Sequence, residues 1–164
     1  MNTNTFTLKS TNIGGQATFH EEFNAWGCVG DNMSPEFSWV HPPSGTKSFA
    51  ITLFDTDAPT GSGWWHWLAF DIPAHITELP KGAGNPDSML MPEGVIQSLN
   101  DYRTYGFGGP CPPQGHGIHQ YMFTLYALDT DSLGLDKDTN PAVVGFNINA
   151  HVIEKTSLVM YYKR

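Results

Sequence analysis

The chain has 164 residues, of which 40% are hydrophobic and 13% aromatic, a composition that predicts a folded globular protein and excludes a disordered one. Its 16 acidic and 8 basic residues give a formal net charge of −8. Nucleic acid is therefore excluded as an expected partner, because neutralising phosphates requires clustered Lys and Arg. The length predicts a single domain over residues 1–164 with a sizeable core.

No segment of the sequence resembles a membrane span or a secretion signal. Its apolar runs are shorter than the roughly 18–20 residues that cross a bilayer. The N-terminal residues, MNTNTFTLKS, lack the basic start and apolar centre of a signal peptide. The sequence therefore predicts a cytoplasmic location. That setting favours free thiols for Cys28 and Cys111, although the two residues could also pair.

The first half of the chain predicts several strands separated by turns. Short strands are expected at residues 6–10, at 17–23 and at 37–40. Two longer strands follow, SFAITLFD at 48–55 and WWHWLAFD at 64–71. Both are rich in apolar and aromatic residues, as buried strands are.

A hairpin between these two longer strands brings polar side chains together. Asp55 ends the first strand and His66 lies near the start of the second, so an antiparallel pair places both at one corner of the sheet. Strict alternation along the second strand predicts Trp64, His66, Leu68 and Phe70 on one face.

The most distinctive stretch is YGFGGPCPPQGHGIHQY at residues 105–121. Its Gly and Pro residues predict a rigid, shaped loop, because Pro fixes φ and Gly allows conformations that other residues avoid. A buried strand is expected from His119 to Leu128, with His119 and Tyr121 on one face. If this strand runs parallel to the Trp64 strand, its polar start joins Asp55 and His66. His116 is interpreted as a solvent-exposed loop residue.

The C-terminal part predicts one helix and a closing strand. Asn140 and Pro141 suit an N-cap and a first helical position, and the apolar spacing extends the helix to about Lys155. SLVMYY at 157–162 then predicts the last strand. The sequence is therefore mostly β with one principal helix.

Three motifs in this order resemble the phosphatidylethanolamine-binding proteins, also called Raf kinase inhibitor proteins. They are DTDAP at 55–59, WWHW at 64–67 and GGPCPPQGHGIHQY at 108–121. NMSPEFSW at 32–39 and the Cys in GPCPP resemble the bacterial branch in particular. The resemblance implies a β-sandwich of antiparallel and mixed strands with a C-terminal helix.

The resemblance also implies a pocket for a phosphate-like anion or a phospholipid head group. By motif, the ligand-binding residues are Asp55, Trp64, His66, Gly109, Pro110, Cys111, Pro112, His119 and Tyr121. Two departures bear on affinity: Thr56 stands where the family usually has Pro, and Gln120 where it usually has Arg. Losing that Arg removes a fixed cation from the neighbourhood of the pocket.

The chemistry of these residue types supports the same expectation. Two imidazoles and a Tyr hydroxyl can donate hydrogen bonds to phosphate oxygens, and a carboxylate can orient a neighbouring His. Histidines titrating near about pH 6.5 would strengthen anion binding as the pH falls. We therefore expect a non-enzymatic binding protein without a cofactor or resident metal.

Several alternatives stay open at the level of sequence. His66 and Asp55 could instead serve as acid and base of a phosphoester hydrolase, with or without a metal. The family also includes inhibitors of kinases and proteases, so either kind of enzyme is a candidate protein partner by resemblance. Cys111 as a nucleophile is disfavoured, since no oxyanion-hole arrangement accompanies it. The resemblance also favours a homodimer.

Overall fold

A computed structural model describes residues 4–164 of the chain. They form eight strands, a short 3₁₀ helix and one α-helix. In chain order these are β1 (Thr7–Lys9), β2 (Phe37–Val40), β3 (Ser48–Asp55), β4 (Trp64–Pro73), β5 (Glu78–Leu79), the 3₁₀ helix (Pro86–Ser88), β6 (Ile96–Gln97), β7 (His119–Leu128), α1 (Pro141–His151) and β8 (Val152–Tyr162). The mostly β fold with a C-terminal helix is confirmed.

The strands form two antiparallel sheets. The smaller has the order β1-β2-β5 and the larger the order β6-β4-β3-β7-β8. All named strand pairs are antiparallel. Within residues 4–164, the mixed character expected from the resemblance is confined to a parallel bridge between Gln16 and Tyr161.

The two sheets pack face to face over an aromatic core. Phe37 and Trp39 of β2 are buried in one cluster with Phe49 of β3, Trp67 of β4 and Phe123 of β7. Burying each of these large side chains stabilises the fold by roughly 1.5–3 kcal/mol. The sandwich is therefore held mainly by apolar area contributed by both sheets.

The opposite face of the larger sheet is covered by α1. Val144 and Ile148 of the helix are buried against Leu68 and Phe70 of β4. The N-terminus of the helix has the predicted cap, because the side chain of Asn140 accepts a hydrogen bond from the Ala142 amide at 2.9 Å. No helix in the described part of the chain is long and apolar enough to cross a membrane.

Two sequence predictions about secondary structure are wrong. The helix ends at His151 and not near Lys155, because residues from Val152 onward pair with the whole length of β7. Residues 17–23 contain a turn at 19–21 and no strand. There the Glu21 carboxylate accepts hydrogen bonds from the Thr18 amide and hydroxyl, which favours a local turn over strand pairing.

The order of the larger sheet places three strand ends side by side. β3 lies between β4 and β7 and is antiparallel to both, so β4 and β7 run parallel, which is the condition under which the sequence brings His119 to Asp55 and His66. At the end of β3, Asp55 is opposite Trp64 of β4 on one side and Tyr121 of β7 on the other. The polar residues at these three ends therefore meet.

A β-bulge in β4 corrects the predicted alternation. Leu53 pairs with Trp67 and Phe54 with Trp65, so His66 has no partner on β3. As a result Trp67 packs in the sandwich core, whereas Leu68 and Phe70 face the helix. The prediction that Leu68 and Phe70 share a face with His66 is wrong, because the bulge adds a residue and shifts the alternation.

Candidate functional site

A cavity of about 180 Å³ opens where β3, β4 and β7 come together. It is lined by Trp26, Asp55, Ala58, Pro59, Thr60, Trp64, His66, Tyr102, Cys111, Pro112, Pro113, His119 and Tyr121. Its volume lies below the roughly 300–1,000 Å³ of sites for drug-sized ligands. The cavity therefore suits a small ligand or the head group of a larger one.

Asp55 and His119 form a buried pair at the polar end of the cavity. The two residues are 3% and 1% exposed. Asp55 Oδ2 lies 2.7 Å from His119 Nδ1, and Asp55 Oδ1 accepts a hydrogen bond from the Asp57 amide at 2.8 Å. The carboxylate thereby fixes the orientation of the imidazole, which is the relation that the sequence suggested.

His116, interpreted from the sequence as a solvent-exposed loop residue, contacts this pair. Its Nδ1 lies 2.7 Å from His119 Nε2. One ring donates and the other accepts, since two protonated nitrogens cannot share a hydrogen bond. Both nitrogens of His119 are therefore engaged by protein groups, and a ligand reaches Nε2 only by displacing His116.

His66 is in a different environment from His119. It is 2% exposed, and its Nδ1 lies 2.7 Å from the Gly108 carbonyl oxygen, so Nδ1 carries the proton and donates it. Burial lowers the pKa of His66 from 6.5 to about 4, so the ring is neutral at pH 6. His66 therefore does not meet the condition, titration near 6.5, under which the sequence expected anion binding to strengthen as the pH falls.

Two hydrogen-bond donors that line the cavity have no protein partner. The Tyr121 hydroxyl and the Trp64 indole Nε1 are buried without a hydrogen bond to any described residue. Burial and the nearby Asp55 charge raise the pKa of Tyr121, so its hydroxyl stays protonated at neutral pH. Both donor atoms are buried, and the Asp55 carboxylate is within reach of the Tyr121 hydroxyl, so a ligand oxygen accepts from these groups only if the cavity wall adjusts around it.

The rim of the cavity is aromatic. The ring centroids of Trp26 and Tyr102 are 5.1 Å apart, and those of Trp64 and Tyr102 are 5.5 Å apart. Sequence reasoning proposed Trp64 but missed Trp26 and Tyr102, which lie in loops outside the quoted motifs. No local pattern distinguishes them from other loop aromatics.

The Gly/Pro loop supplies one wall, with a division of roles among its residues. Cys111 and Pro112 line the cavity, whereas Gly109 and Pro110 lie behind it. The Gly109 carbonyl accepts a hydrogen bond from the Tyr102 hydroxyl at 3.0 Å, and the Pro110 carbonyl accepts from the Phe23 amide at 3.0 Å. These bonds hold the loop in the shaped form that its Gly and Pro content predicts.

Cys28 and Cys111 form a disulfide, so the expectation of free thiols is wrong and the pairing alternative is confirmed. The bond ties the wall residue Cys111 to the turn that carries Trp26. The Arg164 guanidinium lies 3.4 Å from Cys111 Sγ and donates to the Gly27 carbonyl at 3.0 Å. A cation therefore stands directly behind this wall.

The site has no arrangement that recommends a metal. Between residues 4 and 164, no group of three or more His, Cys, Asp or Glu side chains converges closely enough to hold a metal ion. Tyr121, Trp64 and His66 contribute hydrogen-bonding side chains to the lining, next to the Asp55 carboxylate.

The fold and cavity together define a class: an antiparallel β-sandwich with a small, aromatic-rimmed, polar-floored pocket at one sheet end. Comparison with known proteins identifies the class. A model of the family described as phosphatidylethanolamine-binding protein matches residues 9–163. The chain belongs to this family.

Two relatives from Escherichia coli (strain K12) illustrate the similarity. The UPF0098 protein YbcL is 43% identical over 157 residues, which cover 96% of this chain and 86% of YbcL. The UPF0098 protein YbhB is 43% identical over 140 residues, covering 85% and 87% of the two chains. The crystal structure of YbcL, described as a new member of the mammalian PEBP family, superposes with a TM-score of 0.94 over 97% of this chain and 98% of that one. Family membership supports a ligand-binding or regulatory role.

Proposed function

We propose that the chain is a non-enzymatic binding protein whose cavity takes a small anion, either phosphate or a phospholipid head group, and that occupancy modulates a protein partner such as a kinase. The observation that carries the proposal is the Tyr121 hydroxyl, a buried donor on the cavity wall that lacks a partner within residues 4–164. An unmet buried donor destabilises a fold by about 1–3 kcal/mol. A ligand oxygen that accepts from it offsets that cost.

The surroundings of the hydroxyl support an anion as that ligand. The Trp64 indole supplies a second unpartnered donor that also lines the cavity, and the Arg164 guanidinium lies behind the Cys111 wall. The Asp55 carboxylate opposes an anion, but it is already engaged by His119 and by the Asp57 amide. Phosphate oxygens accept hydrogen bonds from donors of this kind, and Arg164, which lies outside the lining and near Glu22, adds positive charge to the surroundings.

The test is a calorimetric titration with phosphate and with phosphoethanolamine at pH 6 and pH 8. Tyr121→Phe removes the unpartnered donor alone, and we expect it to weaken binding about tenfold. Tyr126→Phe is the matched control, since Tyr126 lies on the same strand but packs against the helix side of the sheet. Equal affinity in the wild type and both variants would overturn the proposal.

The same samples address the hydrolase alternative. If His66 and Asp55 act on phosphoesters, phosphoethanolamine will release inorganic phosphate with turnover that disappears in His66→Gln. We expect binding without turnover, because the pKa of His66 at about 4 makes it a weak base.

The disulfide bears on where the protein works. The sequence predicts a cytoplasmic location, yet disulfides persist mainly in oxidising compartments. Trapping thiols in intact cells decides between the two: alkylated Cys28 and Cys111 support the cytoplasm, whereas a fully protected pair supports an oxidising compartment.

The homodimer favoured by the resemblance stays a prediction, which sedimentation equilibrium checks.

A further inference from the structure

His66 presents a hydrogen-bond acceptor to the cavity. The ring lines the cavity, and Nδ1 is turned to the Gly108 carbonyl at 2.7 Å. That bond fixes the tautomer, because a carbonyl oxygen only accepts, so Nδ1 bears the hydrogen and Nε2 bears the lone pair. Among the described residues no group donates to Nε2.

The ring has little freedom to change this arrangement. It packs edge-on against Tyr102 and Tyr121, with centroid distances of 5.2 and 5.1 Å. Gly108 is itself held in place, since its amide donates to the His66 backbone carbonyl at 2.8 Å. The titratable groups that face His66 are Asp55 on β3, His119 and Tyr121 on β7, and Tyr102 in the loop before the Gly/Pro stretch.

The cavity lining therefore contains both hydrogen-bond donors and a hydrogen-bond acceptor. Tyr121 and Trp64 offer O–H and N–H groups, whereas His66 Nε2 requires a hydrogen from the ligand. A fully deprotonated anion would point an oxygen lone pair at the Nε2 lone pair, leaving a buried acceptor unpaired. A ligand with both bare oxygens and one hydroxyl satisfies all three groups.

We propose that His66 makes the cavity selective for phosphate species that carry a P–OH group, namely free hydrogen phosphate or a protonated phosphomonoester, over the phosphodiester of an intact phospholipid. This inference rests on the anion-binding function proposed above and narrows its ligand class. The P–OH donates to Nε2, and the charged oxygens accept from Tyr121 and Trp64.

Hydrogen phosphate and sulfate provide the sharpest test. At pH 8 both are tetrahedral and doubly charged, but only hydrogen phosphate has a hydrogen to donate. We expect phosphate to bind the wild-type protein about tenfold more tightly than sulfate, the effect of one buried hydrogen bond. Dimethyl phosphate, a diester without P–OH, represents the lipid head-group linkage and should bind as weakly as sulfate.

A methyl phosphate titration separates ligand protonation from protein protonation. Its second pKa is near about 6, so the fraction with P–OH falls between pH 5.5 and pH 8. Its affinity should fall over that range, whereas the affinity of sulfate, which does not titrate there, reports any change in the protein. A parallel decline for both anions would contradict the role assigned to His66.

Variants distinguish this inference from the broader proposal. In His66→Gln the side-chain amide can donate as well as accept, so the ratio of phosphate to sulfate affinity should collapse to within about twofold. Tyr121→Phe should weaken both anions and leave the ratio unchanged. Equal binding of phosphate, sulfate and dimethyl phosphate by the wild-type protein would overturn the inference but keep an anion site, whereas binding of none would overturn both.

A spectroscopic measurement on the wild-type protein removes dependence on variant folding. The ¹⁵N chemical shifts of the His66 ring report which nitrogen is protonated. We expect Nδ1 protonated and Nε2 unprotonated without ligand, and a shift of Nε2 alone when phosphate, but not sulfate, is added. A protonated Nε2 in the free protein would overturn the inference.

Discussion

The sandwich core and the cavity are built from the same strands, but the core is filled by apolar side chains and the cavity is lined partly by polar ones. Along β3, Phe49, Ile51 and Leu53 are fully buried in the core, and the next residue on that face is Asp55, at the cavity. Along β7 the order is reversed, because Tyr121 lines the cavity before Phe123 enters the core. One end of each strand is filled by apolar contacts, and the other keeps polar groups that the protein leaves partly unsatisfied.

This contrast separates stability from binding within a few residues. Core positions contribute through apolar area and close packing, so any loss of volume is felt. Cavity positions carry a buried carboxylate, two buried imidazoles and an unpartnered hydroxyl, although the Tyr121 ring itself packs with the core. Substitutions at the two ends should therefore affect different observables.

The largest effect on stability is expected at the core end of β7. Phe123→Ala removes a fully buried ring that packs 4.9 Å from Phe37, centroid to centroid. The cavity that remains should lower the free energy of unfolding by about 3–5 kcal/mol, measured by urea denaturation. Phosphate affinity of the folded fraction should stay unchanged. A loss below about 1 kcal/mol would show that the two sheets do not share one packed core.

The second largest expected effect is a pH dependence of the free energy of unfolding, which arises from His66 at the cavity. The pKa of His66 is about 4 in the folded protein and near 6.5 when exposed, so the unfolded chain binds a proton first as the pH falls. The free energy of unfolding should therefore decrease between pH 6.5 and pH 4, by at most roughly 3 kcal/mol. His66→Gln should flatten this part of the profile, whereas the control His75→Gln, at an exposed position, should not. Identical profiles for wild type and His66→Gln would contradict the assigned neutral state.

The site was predictable where its residues end regular strands. Asp55, His66, His119 and Tyr121 converge as the alternation and the strand directions suggested. The orientation of individual side chains in the site depends on irregular backbone, which local sequence patterns do not predict. The bulge at His66 reversed the faces of Leu68 and Phe70, and the hydrogen bond to Gly108 decided which nitrogen of His66 faces the cavity.

The residues that reach the cavity through long-range contacts could not be predicted from the sequence. Trp26 reaches the rim because the Cys28–Cys111 disulfide holds its turn against the Gly/Pro loop. His116 contacts His119 only because of the course of that loop. The fold was easier to predict, since the long strands β3, β4 and β7 carry strong apolar patterns, whereas the turn at 17–23 depends on the Glu21 carboxylate.

A smaller effect is expected for Gly109, which supports the cavity wall from behind. A Cβ at this position would lie 1.8 Å from the Glu21 carbonyl oxygen, so the Gly/Pro loop must shift to admit a methyl group. Gly109→Ala should lower the free energy of unfolding by about 1–3 kcal/mol, as overpacking does, and should weaken phosphate binding by displacing Cys111. Gly14→Ala is the control, because nothing lies within 4 Å of a Cβ there. Equal behaviour of the two variants would show that the loop is compliant.

The smallest change in stability is expected for Tyr121→Phe, although this variant should have a large effect on binding. The ring is fully buried, but its hydroxyl has no hydrogen bond to residues 4–164, so removing the oxygen costs only its proximity to the Asp55 carboxylate. The free energy of unfolding without ligand should change by less than about 1 kcal/mol, and an increase is the expected sign because an unmet polar group is removed. Saturating phosphate should raise the melting temperature of the wild type more than that of the variant, because only the wild type gains the ligand contact. A decrease of about 2 kcal/mol in the free energy of unfolding without ligand would show that the Tyr121 hydroxyl contributes to folding stability. It would contradict the separation of stability and binding between the two ends of β7.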